Sequence, residues 1–331
     1  MRKFNMKAEV LSLLKSTDDY VSGQMLCDRF HVSRTAIWKV VNQLKEEGYV
    51  IDAVQKRGYH LVSYEEKYSK SEIESRRVDA KFGHFVKYYD EVDSTNTTAK
   101  RYAEDGATEG TLIVSDVQRS GKGRRGKVWK SPKDAGIWMS LILKPHMATY
   151  KASMITLIAG MAVSKAIEEV TGLKNEIKWP NDIVANGKKI CGILTEMNAE
   201  IDQINYIIVG IGINVNTKEF PEELQDRATS IEIETGKEQN RLLILDRVLD
   251  EFEKYYDIFM KTKDMSILMK EYNDRLINID RKVRIFQDEE SYEAISKGID
   301  ENGELMVECE DGTKKKVVSG DVSVRGVYGY V

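Results

Sequence analysis

The stretch Gln118-Arg119-Ser120-Gly121-Lys122-Gly123-Arg124-Arg125-Gly126-Lys127-Val128-Trp129-Lys130 is the most distinctive in this chain of 331 residues. Between Arg119 and Lys130 it carries six basic residues, three glycines and no acidic residue. Glycines let backbone N–H groups approach an anion closely, and arginine can bind a phosphate through two parallel hydrogen bonds. The stretch therefore predicts an anion-binding loop. An exposed basic loop without a ligand is the alternative interpretation.

Two familiar nucleotide-binding motifs are matched only in part. Residues 121–127 have the spacing of a P-loop, but Val128 stands where the magnesium-binding hydroxyl is required, and Pro132 opposes the helix that should follow. Residues 210–212 resemble the start of a dinucleotide fingerprint, but Val215 replaces its third glycine. We therefore expect neither a P-loop NTPase nor a Rossmann domain.

Three other polar motifs stand beside predicted strands. Residues 93–96 (Asp-Ser-Thr-Asn) precede a helix, residues 178–182 (Lys-Trp-Pro-Asn-Asp) end a strand at Pro180, and residues 188–194 place two lysines before an apolar strand. Each motif can hold a small polar ligand. Each also has a plain alternative: a helix cap, a turn, and a solvated hairpin lysine.

The chain divides into three segments, and the first, residues 1–63, has the element order of a winged helix-turn-helix. Apolar residues recur at helical spacing in residues 6–15, and Ser22 and Ser33 are suited to cap two further helices. Two short β-prone runs then flank a turn at residues 55–58. Three helices followed by a hairpin predict this fold.

The same segment has the chemistry of a DNA-binding surface. Residues 1–60 contain ten Lys or Arg and seven Asp or Glu, a local charge of 10 − 7 = +3, whereas the whole chain carries −4. Polar residues of the third helix avoid its buried stripe, and basic residues occupy the wing tip. The candidate DNA contacts are Ser22, Ser33, Arg34, Thr35, Trp38, Lys39, Asn42, Lys56 and Arg57. A protein–protein module is the alternative.

The remaining segments are residues 64–270 and 271–331. A charged linker is expected over residues 67–78, followed by strands that alternate with helices, among them helices over residues 153–170 and 240–260. This pattern predicts a mixed sheet of the α+β class. Five short strands separated by turn residues predict a small β-barrel at the C-terminus.

Composition limits the class of protein. Hydrophobic residues make up 41% and charged residues 31%, as in soluble globular proteins. Three separated cysteines and four scattered histidines argue against a disulfide framework and a zinc site. No apolar run reaches the ~20 residues of a membrane helix, and the first residues are typical of a helix rather than a signal peptide. We expect a cytoplasmic protein with no membrane contact.

Together the motifs resemble the biotin–protein ligases, specifically the bifunctional members that also act as the biotin operon repressor. The matching elements are residues 93–96, 121–126, 178–182, 189–194 and 210–215, in family order, behind a winged helix. The resemblance covers essentially the whole chain. It implies a class II synthetase-like catalytic domain and an SH3-like C-terminal barrel.

The resemblance also implies a two-step reaction. The biotin carboxylate attacks the α-phosphate of Mg·ATP and expels pyrophosphate, which gives biotinyl-5′-AMP. A lysine amine of the biotin carboxyl carrier protein then attacks the acyl carbon. Such chemistry depends on positioning and charge neutralisation. The implied partners are the carrier domain, operator DNA and a second copy of the chain when the adenylate is bound.

By the same resemblance, Arg124 and Lys189 are the expected catalytic residues, and no residue is assigned as a metal ligand. The expected biotin-binding residues are Ser94, Thr95, Asn96, Gln118, Lys122, Gly123, Arg124, Lys189 and Gly192. The expected ATP- or adenylate-binding residues are Arg124, Arg125, Trp129, Asn181, Asp182, Asn214 and Arg325. Lys122 departs from the family, in which arginine is common, and lysine cannot form a two-pronged contact.

Three alternatives stay open at this point. A lipoate–protein ligase shares the fold. A biotin-sensing repressor without ligase activity is opposed by the presence of both Arg124 and Lys189. A ligase whose winged helix has no DNA target is the third.

Overall fold

The computed structural model describes residues 5–201, 203–287, 290–319, 322–326 and 331, without the side chains of residues 287, 290 and 322–326. The chain divides into two compact units, Met1–Val86 and Lys87–Val331. Each unit is built around its own elements, and the two are described separately below.

The first unit contains the predicted winged helix-turn-helix. Its elements are α1 (Met6–Lys15), α2 (Gly23–Phe30), α3 (Arg34–Glu46), β1 (Val50–Val54) and β2 (Gly58–Ser63). The Ser22 and Ser33 hydroxyls accept hydrogen bonds from the backbone N–H groups of Met25 and Ala36, which confirms both predicted caps. The apolar stripe of α3 is buried in the core of this unit, and β1 pairs antiparallel with β2.

A fourth helix, α4 (Lys70–Arg76), lies where we expected a charged linker, so that expectation is wrong for these residues. Ser69 caps the helix, and the side chain of Glu72 is buried. The Glu72 carboxylate accepts a hydrogen bond of 2.6 Å from the Tyr49 hydroxyl and lies 2.5 Å from the Lys15 ammonium. The buried Glu72 carboxylate therefore binds α4 to Tyr49 and Lys15, whereas a linker would leave this charge in solvent.

The second unit is built on an eight-stranded sheet. Its strands are β3 (Phe85–Val92), β4 (Thr111–Lys122), β5 (Val128–Ser131), β6 (Gly136–Leu143), β7 (Glu176–Lys178), β8 (Asp182–Ala185), β9 (Lys188–Glu200) and β10 (Gln203–Asn214). The order is β3-β4-β6-β10-β9-β8-β7, with β5 on β4. Antiparallel pairs predominate in the described register, and parallel bridges join Ile177 to Leu276 and Lys189 to Ala228.

Helices α5 (Thr95–Glu104), α6 (Ser153–Thr171), α7 (Ile231–Thr235), α8 (Arg241–Thr262) and α9 (Met269–Asp274) complete this part of the unit, and α6 and α8 confirm the two long helices expected. Side chains of a strand alternate between the two faces of a sheet. On β9, Glu196 contacts α5, whereas Thr195 bonds to Thr156 of α6. The α5 face of the sheet is the one that carries the candidate site.

The C-terminal strands are β11 (Lys282–Gln287), β12 (Glu290–Ile299), β13 (Leu305–Glu308), β14 (Lys314–Val317) and β15 (Val322–Gly326). They form an antiparallel sheet in the order β14-β13-β12-β11-β15. The five expected strands are therefore present, but among the residues described the edge strands β14 and β15 are not paired with each other, so closure into a barrel is not seen. Helical and strand elements together confirm the α+β class.

Candidate active site

A cavity opens on the α5 face of the sheet. All nine candidate biotin-binding residues line it: Ser94, Thr95, Asn96, Gln118, Lys122, Gly123, Arg124, Lys189 and Gly192. Trp129 and Asn181 from the candidate nucleotide set also line the cavity. The structure therefore brings together residues from segments spread over residues 94–212.

The amide of Gln118 is held in one orientation at the cavity wall. Its Oε1 accepts hydrogen bonds from the Thr95 backbone N–H, at 2.9 Å, and from the Thr95 hydroxyl, at 3.1 Å. Its Nε2 donates to the Ser131 hydroxyl at 2.8 Å. One N–H of Gln118 and the Thr95 oxygen are consequently left to meet a polar ligand.

Asn96 is buried below this pair. Its Oδ1 accepts a hydrogen bond of 2.6 Å from the Ser140 hydroxyl, and its Nδ2 donates to the Leu194 carbonyl and to the Glu196 carboxylate. A Cβ added at Gly210 would lie 2.1 Å from Asn96 Oδ1, so this approach requires glycine. The Asn96 amide thus bonds to the protein on both its oxygen and its nitrogen, while the residue also lines the cavity.

The basic loop folds back on itself at the cavity mouth. The Gly123 N–H donates to the Lys127 carbonyl at 2.7 Å, and residues Arg124–Gly126 form a single 3₁₀ turn. The Lys122 ammonium donates to the Thr97 hydroxyl, and Arg124 donates to Asn181 Oδ1 at 3.2 Å. Arg124 therefore links the loop to the Lys-Trp-Pro-Asn-Asp motif at the far side of the cavity.

An irregularity in β9 directs Lys189 into the site. Strand β8 pairs Ile183 with Cys191 and Val184 with Lys189, so one residue, Ile190, is extra. Such a bulge changes the face on which the preceding side chain lies. The Lys189 ammonium is consequently on the same face as Gly192, where an added Cβ would lie 2.9 Å from it.

Two contacts hold the Lys189 ammonium in place. It lies 2.5 Å from the Asp182 carboxylate and 5.2 Å from the centre of the Trp129 ring. The Lys189 backbone is bonded to Arg227 and Thr229 on its other side. A positive charge fixed in this way, and only partly exposed, suits the neutralisation of an anion that forms during a reaction.

Trp129 covers the glycines of β9 and β10. A Cβ at Gly212 would lie 2.6 Å from Trp129 Nε1, and a Cβ at Gly192 would lie 3.1 Å from its ring. The indole N–H is buried and has no hydrogen-bond partner among the described residues. The sequence placed Gly210 and Gly212 in the family element 210–215 and in a partial dinucleotide motif. Their packing role was not predicted: Gly210 makes room for Asn96 and Gly212 for Trp129.

Other candidate residues lie outside the cavity. Asn214 is buried and donates to the Thr229 carbonyl at 3.2 Å, and Arg125 sits on the loop without lining the cavity. Asp182 contacts the site through Lys189. The side chain of Arg325 lies outside the described residues. Met139 lines the cavity and was not singled out in the sequence. Ile193, Leu194, Gly210, Ile211 and Gly212 also line it; they belong to the family elements but were not among the candidate site residues.

The candidate DNA contacts of the first unit lie at its surface. Ser22, Ser33, Arg34, Thr35, Trp38, Lys39, Lys56 and Arg57 are exposed, and Asn42 is half-buried. Trp38 is 55% exposed although it is the largest apolar side chain of α3. Two of the cations have protein partners: Arg34 donates to Gln24, and Arg57 packs on the Tyr20 ring and lies 3.4 Å from Asp19.

Comparison with known proteins agrees with both units. Residues 88–214 match the family model described as the biotin/lipoate A/B protein ligase family, residues 7–60 an HTH domain, and residues 279–325 the biotin protein ligase C-terminal domain. The bifunctional ligase/repressor BirA of Bacillus subtilis is 40% identical over 93% of this chain and 94% of its own length. This chain belongs to the biotin protein ligase family, in its bifunctional ligase/repressor form.

Two further relatives locate the chain within that family. BirA of Escherichia coli is 26% identical over 98% of this chain and 99% of its own. A biotin protein ligase from Aquifex aeolicus, solved in complex with biotin and ATP, is 32% identical with a TM-score of 0.65. The match covers 73% of this chain and 99% of that one. Of the described helices, none is long and apolar enough to cross a bilayer.

Proposed function

We propose that this chain uses ATP to ligate biotin to a lysine of the biotin carboxyl carrier protein, through biotinyl-5′-AMP, and that it represses biotin genes by binding operator DNA. One observation carries the enzymatic part: a single cavity is lined by all nine residues expected to bind biotin. Membership of the ligase/repressor family supports both parts. Relatives such as the Mycobacterium tuberculosis and Aquifex aeolicus ligases are named for biotin, which favours biotin over lipoate as the substrate.

In the first step the chain holds two anions close together. Thr95 and Gln118 offer an acceptor and a donor to the ring of biotin. The backbone of Lys122 and Gly123 holds its carboxylate once the loop opens and the Gly123 N–H leaves the Lys127 carbonyl. Arg124 binds the α-phosphate, because a guanidinium can contact two phosphate oxygens at once. Lys189 neutralises the charge that grows as the carboxylate oxygen bonds to phosphorus and pyrophosphate leaves.

Magnesium is expected to enter with ATP. Its usual ligands in such sites are substrate phosphates and one or two carboxylates. Among the described residues no group of three acidic, histidine or cysteine side chains could hold a metal ion. Asn181 and Asp182 would lie on the nucleotide and metal side of the site, with the Asp182 carboxylate beside Lys189. Bound magnesium would lower the charge on the phosphates.

In the second step the carrier lysine attacks the acyl carbon and AMP leaves. Trp129 and the basic loop cover the adenylate until then, which limits its loss by hydrolysis. We infer that the same loop links ligand binding to dimerisation, and that the dimer places two winged helices on the operator. We place the protein in the cytoplasm, where Cys27, Cys191 and Cys309 remain thiols.

Incubation with radiolabelled biotin, ATP and a purified carrier domain tests the enzymatic proposal. We expect label on the carrier lysine that depends on ATP, and no label on a carrier in which that lysine is replaced by arginine. Absence of label with an authentic, folded carrier would contradict ligation. Operator binding is tested by footprinting DNA upstream of biotin genes, with and without biotin plus ATP. We expect protection of the operator only when biotin and ATP are both present.

A further inference from the structure

Tyr20 lies in the segment between α1 and α2 and is half-buried. The guanidinium of Arg57, in the turn between β1 and β2, lies over the Tyr20 ring, 4.1 Å from its centre. This turn is the tip of the wing, and Arg57 is one of its two candidate DNA contacts. Tyr20 therefore carries a wing cation, although neither the sequence motifs nor the proposed function gives this tyrosine a role.

Contacts with both strands of the wing fix the position of Tyr20. Its hydroxyl donates a hydrogen bond of 2.5 Å to the Asp52 carboxylate on β1, and its ring lies 5.2 Å from the His60 ring on β2. The next residue, Val21, pairs with Tyr59 of β2 through two backbone hydrogen bonds of 2.7 and 2.9 Å. The ring beneath Arg57 is therefore held in place by the hairpin that it supports.

The segment that contains Tyr20 also joins the wing to α3. Ser22 follows Val21 and caps α2. Gln24, in the first turn of α2, accepts a hydrogen bond of 2.9 Å from Arg34 at the start of α3. A short path of contacts therefore leads from Arg57 through this segment to Arg34. Three candidate DNA contacts, Ser22, Arg34 and Arg57, are exposed along that path.

The contact with Tyr20 leaves Arg57 able to bind a phosphate. A guanidinium that lies on an aromatic ring keeps its N–H groups at its rim, where they can meet phosphate oxygens. Asp19 is the competing partner, 3.4 Å away, but its side chain is 81% exposed and that of Arg57 is 61% exposed. Because such exposed ion pairs contribute little, a phosphate can displace the Asp19 carboxylate while the ring contact persists.

We propose that Tyr20 is a positioning residue for DNA binding, which holds Arg57 on the surface shared with α3 so that Arg57 meets a DNA phosphate. The inference rests on the proposed function, because the phosphate is that of the operator. A purely structural role is the alternative, in which Tyr20 only attaches the hairpin to the helices. The two roles differ in one respect: positioning requires the charge of Arg57, whereas attachment does not.

A double-mutant cycle tests this difference. The full chain, with biotin and ATP, is titrated by fluorescence anisotropy against a duplex of the DNA upstream of biotin genes, at several salt concentrations. Arg57→Ala should weaken binding and lower the slope of log affinity against log salt by about 1. Tyr20→Leu should weaken binding about two- to fivefold, as for the loss of an exposed cation–π contact. The same change should have almost no effect in the Arg57→Ala background.

Two further variants separate the ring from the hydroxyl and from general effects. Tyr20→Phe keeps the ring under Arg57 and loses only the hydrogen bond to Asp52, so the salt slope should stay at the wild-type value. Tyr64→Leu is the matched control, because the Tyr64 ring carries the Lys15 ammonium, 4.2 Å from its centre, beyond the other end of β2. Its slope should not change. Thermal unfolding shows whether each variant is folded, and Tyr20→Met repeats the cycle if Tyr20→Leu unfolds.

The outcomes distinguish the two proposals. DNA binding by the wild type, with an effect of Tyr20→Leu that disappears in the Arg57→Ala background, supports both. Equal effects of Tyr20→Leu in the two backgrounds, a loss in Tyr20→Phe as large as in Tyr20→Leu, or an unchanged salt slope in Arg57→Ala would overturn the role of Tyr20 alone. Failure of the wild type to bind this DNA with biotin and ATP present would overturn the proposed DNA binding instead.

Discussion

The candidate DNA surface takes most of its side chains from one helix, α3, and from the turn between β1 and β2, whereas the ligand cavity takes its side chains from segments spread over residues 94–212. The first surface depends on helix periodicity alone, because a polar stripe faces outward once the apolar stripe is buried. The cavity depends on strand register, on a bulge and on glycines that admit neighbouring side chains. Small changes should therefore damage the cavity far more than the surface.

The largest effect is expected for Lys189→Ala. Removing a charge aimed at the reacting centre costs on the order of 10²–10³ in rate at comparable sites, so ATP–pyrophosphate exchange should fall by about that factor. Lys188→Ala is the control, because the neighbouring ammonium is exposed and donates to the Gln225 carbonyl instead. Wild-type exchange by Lys189→Ala would show that the bulge does not serve the reaction.

The next effect is expected for Gly212→Ala, which tests close packing in the cavity. The added methyl would lie 2.6 Å from Trp129 Nε1, so the indole must move and the cover over the adenylate must loosen. Overpacking of this kind costs roughly 1–3 kcal/mol, and we expect about a tenfold loss of exchange or more. Gly160→Ala on α6, whose new methyl meets its nearest neighbours at 3.9 Å, should change little. Equal behaviour of the two variants would contradict the packing argument.

A smaller and graded effect is expected on the DNA surface. Lys39→Ala should weaken binding to a mixed-sequence duplex and lower the slope of log affinity against log salt by about 1, as for one lost phosphate contact. Titration by fluorescence anisotropy at several salt concentrations measures both. Lys45→Ala, near the end of the same helix, serves as the control. Identical salt-dependence slopes for wild type and Lys39→Ala would show that Lys39 does not contact a DNA phosphate.

The smallest effect is expected for Ser33→Ala at the start of α3. The Ser33 hydroxyl accepts a hydrogen bond from the Ala36 N–H, and loss of such a cap costs about 1 kcal/mol of unfolding free energy. Urea unfolding followed by circular dichroism gives the value, and Ser33→Asp should keep the stability because aspartate also caps. A loss well above this range would mean that Ser33 has a further structural contact.

Local features of the sequence were sufficient for much of the fold. The caps Ser22 and Ser33, the hairpin after α3 and the long helices α6 and α8 all follow from short-range patterns, and all are confirmed. Helix α4 was missed because its first turn and its charges are typical of a linker. Only the structure shows that Glu72 is buried against Tyr49 and Lys15.

The sequence predicted many of the residues that form the candidate site, but it did not predict how they are arranged. The resemblance named eleven cavity residues, yet no local pattern shows that Ile190 is the extra residue which turns Lys189 into the site. Ser140 and Glu196 were not considered, although a serine inside the apolar run of β6 is a visible signal of a buried polar partner. The register between distant strands decides where Lys189 points and which groups Ser140 and Glu196 contact. That register is not contained in any single stretch of sequence.

The most direct test of the central claim is ATP–pyrophosphate exchange by the full chain with biotin and with lipoate as the only acid. We expect exchange with biotin, little exchange with lipoate, and loss of the biotin signal in Lys189→Ala. Exchange driven by lipoate and not by biotin would contradict the assignment of the cavity.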